Sequence, residues 1–169
     1  DFDSTSSTIL LWPVDEAGRF PGEWVKATFD RYWSEFAKRR NSTNWEAYTP
    51  YELRHIGAHL RLGQKQRAIE ALDWYLAHQR PAGWRHWAEV VWREPRTPRM
   101  IGDMPHTWCG SDFLNAARAM FVYEDQQDQK LVLFAGVPDS WAADPSGVGF
   151  ENLRTTFGAV SARIAPTNG

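Results

Sequence analysis

The stretch TPYELRHIGAHLRLGQKQRAIEALDWYLAHQ, residues 49–79, decides how the chain is read. Thr49, Pro50 and Glu52 form a capping box with proline at the first helical position, and Gly63 is a natural stop. Ala68, Ile69, Leu72, Tyr75 and Leu76 then recur at helical spacing, and RPAG (80–83) ends the second helix. Outward from this pair, residues 20–40 carry Trp24, Val25, Thr28, Phe29, Tyr32, Trp33 and Phe36 on one helical face. Pro21 suits the first turn there, and Lys38, Arg39 and Arg40 suit the last. Cys109, Phe113, Ala116, Ala117, Met120 and Phe121 predict a helix over 107–124, and a shorter one covers about 5–14. After residue 128 the character changes. KLVLFAGVP (130–138) is a short β run, and GVGFENLRTTFGAVSARI (147–164) reads as two strands joined by a turn at Phe157-Gly158. Helices first and strands last predict a mainly α fold of antiparallel helical hairpins over 1–128, with a short β segment over 129–169.

The bulk composition narrows the function classes. The chain has 169 residues, which suits one domain with a small appendage, and its net charge of −2 carries no footprint for a polyanion. Nucleic acid is therefore not the expected partner. No apolar run approaches the length of a membrane span, so no membrane partner is expected either. The unusual number is 10 Trp, part of an aromatic share of 14%, a density that serves large cores, interfaces or sugar-stacking faces. The one cysteine, Cys109, reads as a small core residue. The chain begins DFDSTSST, without Met or a signal-peptide pattern, and reads as a piece of something longer. Its compartment stays open.

Three predicted helices follow loops rich in acids and aromatics: DFDS (1–4), NWEAY (44–48) and GDMPHTW (102–108). In a bundle of alternating direction these loops fall on one rim, where helix N-termini favour ionised carboxylates. Such a rim suits a polar, ring-stacking cleft. Helix caps and staples are the competing reading, at least as strong for Asp3 and Thr49.

The stretch AGWRHWAEVVW (82–92) sets three tryptophans, Trp84, Trp87 and Trp92, around Glu89. If helical, Glu89 faces Arg85, His86, Trp92 and Arg93; if extended, Trp87, Glu89 and Val91 share a face. Burial beside indole raises a carboxylate's pKa, and arginine neighbours lower it. Spacing alone favours a salt-bridge glutamate over an acid–base residue. In GDMPHTW, Gly102 and Pro105 shape the backbone, and Asp103 is placed to orient His106 or bind a sugar hydroxyl. REPRTPR (93–99) carries three arginines between prolines and reads as a solvated loop. No metal-ligand spacing, nucleophile elbow or phosphate loop occurs, so neither a metal nor a cofactor is expected.

Together these stretches resemble the C-terminal part of six-hairpin glycosidases, nearest to α-L-rhamnosidase-like and α-L-fucosidase-like glycoside hydrolases. The matching residues are Glu89 within its tryptophans, His106 with Gly110 four positions on, Phe113-Leu114, and Val137-Pro138-Asp139-Ser140-Trp141 followed by Gly149 and Leu153. The tryptophans stand further from Glu89 than in that family, and Pro105 replaces the residue expected before the His. The resemblance implies part of an (α/α)6 toroid, with the rest of a parent chain as its partner, and an inverting hydrolase acting on an oligo- or polysaccharide. Two carboxylates would then flank a water. It makes Glu89 the candidate general base. Asp103 is the candidate second catalytic carboxylate, and Asp3 and Glu46 are further substitutes for a missing acid. Trp45, Glu46, Tyr48, Trp84, Trp87, His106 and Trp108 become candidate substrate-binding residues. A non-catalytic carbohydrate-binding or scaffold module with a Trp-rich rim, and a plain helical interaction protein, are the alternatives.

Overall fold

The computed structural model describes residues 3–94 and 99–167. Helix α1 (Ser4–Ser7) is capped by Asp3, whose carboxylate accepts from the Thr5 and Ser6 N–H groups, and runs into a 3-10 turn over Thr8–Leu10. The long helix α2 (Gly22–Arg40) follows. Strand β1 (Ala47–Tyr48) then leads to a 3-10 turn over Pro50–Leu53 and helix α3 (Arg54–Arg61). Gly63, at φ +70°, takes the left-handed turn that separates α3 from α4 (Lys65–Ala77). An irregular stretch with strand β2 (Val91–Trp92) precedes α5 (Thr107–Phe121). The chain closes with β3 (Val122–Asp125), β4 (Lys130–Leu133), the single turn α6 (Asp139–Ala142), β5 (Val148–Thr155) and β6 (Gly158–Ile164).

Helix α3 packs between α4 and α5, and α2 lies across them. Phe36 of α2 meets Trp74 and Tyr75 of α4, and Tyr32 stacks on His55 of α3 at 3.3 Å. Glu52 does not close the capping box that its spacing predicts. The cap itself forms through Thr49, which accepts from Tyr51 N–H, while Glu52 turns into the core. There it accepts from Arg39 at 2.9 Å and from the Tyr75 hydroxyl at 2.9 Å, and the Tyr32 hydroxyl lies 2.8 Å from that of Tyr75. A buried carboxylate needs such partners, because removing it from water unpaired is costly.

The expected fold class is overturned. The chain is a mixed α/β fold, 45% helical, with small antiparallel strand pairs and no helical-hairpin toroid. The physical reasons are local. The 5–14 region forms one short helix and a 3-10 turn instead of a full rod, and α3 spans only eight residues. Residues 78–106 hold no helix among those described. Strands do not merely trail the helices: β1 pairs with β2 across the helical region, Ala47 opposite Trp92 and Tyr48 opposite Val91. Helix α5 also stops early. Val122 is extended at φ −154°, and Val122–Asp125 pairs with Lys130–Leu133 as a hairpin. The boundary expected at 128 falls in the turn of that hairpin. The strand pair over 148–164 forms as its alternation predicts, with a register shift between Phe150 and Leu153.

Candidate functional site

Two of the three acid- and aromatic-rich loops flank the segment that holds Glu89. From the first side, the Thr49 hydroxyl donates to the Glu89 carbonyl at 3.0 Å. From the second, Glu89 N–H donates to the Asp103 carbonyl at 3.0 Å, Val90 N–H to that of Ile101 at 3.1 Å, and His106 N–H to that of Trp87 at 2.7 Å. These bonds clamp 87–90 against 101–106 without regular strand geometry. Gly102 makes the clamp possible. Its φ is +61°, and a Cβ there would collide with the Glu89 carboxylate and stand 2.7 Å from the Glu89 Cβ. Glycine lets the loop backbone close directly onto the glutamate.

The third loop, DFDS, does not join this lattice. Asp3 is held by its own helix, and its carboxyl is lowered to about 2 by the hydrogen bonds from Ser6 and Thr5. Asp1 and Phe2 lie outside the described residues.

His106, bonded through its backbone N–H to the segment that holds Glu89, meets Tyr51, and Tyr51 meets Trp108. His106 Nε2 is 2.8 Å from the Tyr51 hydroxyl, and Nδ1 is 3.7 Å from the Asp103 carboxylate. The imidazole tautomer sets which of the two, phenol or ring nitrogen, donates in the Tyr51 contact. Burial, with the Glu89 charge adding to it, raises the Tyr51 phenol. The Trp108 ring meets Tyr51 edge-on at 6.0 Å and is 64% exposed. Residues 103–108 and Ser111 line a shallow, open hollow of about 540 Å³.

Beneath this hollow, Arg54 holds Asp112 at 2.9 Å and lies 4.9 Å over the Tyr51 ring. Burial raises the Asp112 carboxyl against the pull of Arg54 and the weaker pull of His106. Cys109 is fully buried, and burial with the Asp112 and Glu89 charges pushes its thiol up to about 12, which removes it as a nucleophile.

The remaining candidates divide. Trp45 and Tyr48 lie in the core against Trp74, and the Tyr48 hydroxyl donates to the His78 carbonyl. Trp87 is 3% exposed and packs on Phe113. None of these three offers a ring face to a ligand. Trp84 is exposed, beside His86. Glu46 points to solvent, 3.5 Å from Arg99, and Arg93 donates to Thr43 and Asn44. Residues 95–98 of the arginine-rich loop lie outside the described residues. Among the described residues, no group of three or more His, Cys, Asp or Glu is placed to hold a metal ion, and no helix is long and apolar enough to cross a membrane.

No family model, curated protein or solved structure matches the chain.

Three residues of the site escape a reading by spacing: Tyr51, Arg54 and Asp112. Asp112 did leave a signal. It falls on the buried stripe Cys109, Asp112, Ala116, Ala119, where a carboxylate has no place unless it is paired. Tyr51 and Arg54 left none, because the turn over Pro50–Leu53 breaks the helical period that would have shown their direction.

Proposed function

We propose that the protein is carbohydrate-active and that a sugar ring sits in the hollow over Trp108, next to the loop that clamps Glu89. One observation carries the reading. An exposed indole, Trp108, and the imidazole of His106 line one hollow, with Tyr51 in contact with both rings and the glycine-shaped loop that clamps Glu89 running into it. Sugar rings present C–H groups to an aromatic face and hydroxyls to such a polar pair. In the hydrolytic form of this reading, Glu89 takes a proton from a water whose oxygen bonds to the anomeric carbon. The glycosidic C–O bond breaks, and the leaving oxygen takes a proton from a second carboxyl group. Asp103, whose carbonyl accepts from Glu89 N–H, is the candidate for it.

A second reading, binding without hydrolysis, is favoured by the state of Asp103. Its side chain is 84% exposed, whereas a general-acid carboxyl sits in a sheltered, apolar setting.

Aryl-glycoside hydrolysis separates the two. The hydrolytic reading expects turnover that falls at least 100-fold in Glu89→Gln, with saccharide binding retained. Turnover unchanged in that variant removes the role of Glu89. Saccharide binding without turnover establishes the second reading.

A further inference from the structure

A second cavity, of about 360 Å³, opens on the other side of Trp108, which lines both together with Ser111. Three arginines face it, Arg54, Arg61 and Arg118, against two carboxylates, Asp112 and Glu124. Arg54 is taken by Asp112 at 2.9 Å and Arg118 by Glu124 at 2.8 Å. Arg61 has no ion pair among the described residues. Its guanidinium instead lies 4.6 Å over the Tyr123 ring and 5.9 Å over that of Trp12, and one N–H reaches the Gly57 carbonyl at 3.3 Å.

This setting differs from that of Arg39. Burial works against the charge of both. At Arg39 the Glu52 carboxylate outweighs burial and holds the guanidinium above its ordinary value. At Arg61 burial wins and lowers it, although the adjacent Tyr123 and the carboxylates of Asp15, Glu124 and Asp125 act the other way. A guanidinium set against two rings is fixed in orientation, with donors left over at its edge. That edge matches a planar carboxylate, which accepts two parallel N–H bonds.

We infer that the groove takes a sugar carboxylate at Arg61, so that the ligand spanning Trp108 is an acidic saccharide, an oligouronate. The inference rests on the carbohydrate reading and names the substrate class of that same face. One ring lies in the hollow lined by residues 103–108 and Ser111, the chain crosses the exposed indole, and a neighbouring residue's carboxylate enters the groove.

Calorimetric titration tests this with oligouronates of galacturonate, glucuronate, mannuronate and guluronate backbones, each beside its methyl ester. The expected result is an acid form bound at least tenfold more tightly than its ester, with a preference that shrinks as salt is added. Arg61→Gln, shown to be folded by circular dichroism, abolishes the preference, and Arg61→Lys restores only part of it. Equal binding of acid and ester overturns the assignment on the unaltered protein alone and leaves the carbohydrate reading standing. A preference that survives in folded Arg61→Gln also overturns it. Binding of neither form overturns both.

Discussion

Trp87 and Trp84 stand three residues apart in one segment, yet the first is 3% exposed and the second 57%. The same division runs through the molecule. Trp45, Trp74 and Trp87 belong to one buried cluster with Tyr48 and Tyr75, whereas Trp12, Trp84 and Trp108 keep at least part of a face open. Trp108 opens a helix whose next residue, Cys109, is fully buried. A tryptophan-rich composition therefore holds two populations. One supplies core volume and the other supplies ring faces at a surface with polar neighbours. Substitution should separate them cleanly.

The largest effect belongs to the core. Arg39→Ala leaves Glu52 buried with only the Tyr75 hydroxyl, and should cost about 3–5 kcal/mol in chemical denaturation. Acid comes next. Burial lowers His59 to about 4 and lowers His55 as well. Both are neutral in the fold and would take up a proton on unfolding. Between pH 6.5 and 4 the unfolded chain therefore binds more protons, and stability falls as pH falls. The loss for His59 is about 3 kcal/mol across that window. Melting temperature against pH reads the slope, and His59→Leu should remove part of it.

How much of this was legible in sequence follows from the same contrast. Helices α2, α4 and α5 could be read because their apolar residues keep a 3.6-residue period over thirteen or more positions. The closing hairpin was legible from its alternation. The β1–β2 pair was not, because two-residue strands carry no period, and their partners lie more than forty residues apart. Within the site, Glu89, Asp103 and His106 were legible from loop chemistry. Trp45, Tyr48 and Trp87 were misplaced on the rim, since an aromatic next to a polar loop looks the same whether it turns inward or outward. Arg61 carries no signal in the sequence. Only the fold sets it against Trp12 and Tyr123, which lie far apart in the chain.

At the loop, Gly102→Ala tests the clamp. The φ of +61° costs alanine about 1 kcal/mol, and the new Cβ displaces the Glu89 carboxylate. Denaturation should show a small loss of stability, while saccharide titration or turnover should show a much larger loss of function. The smallest effect on stability is expected for Trp108→Ala. A ring this exposed should change denaturation by no more than about 0.5 kcal/mol.

The most direct test of the central claim is a tryptophan-fluorescence titration of the unaltered protein and Trp108→Ala with a panel of neutral and acidic oligosaccharides. The account predicts a saturable change in the unaltered protein and at least a tenfold loss of affinity in the variant, with folding intact. Absence of any saccharide response, or an equal response in the two proteins, would contradict it.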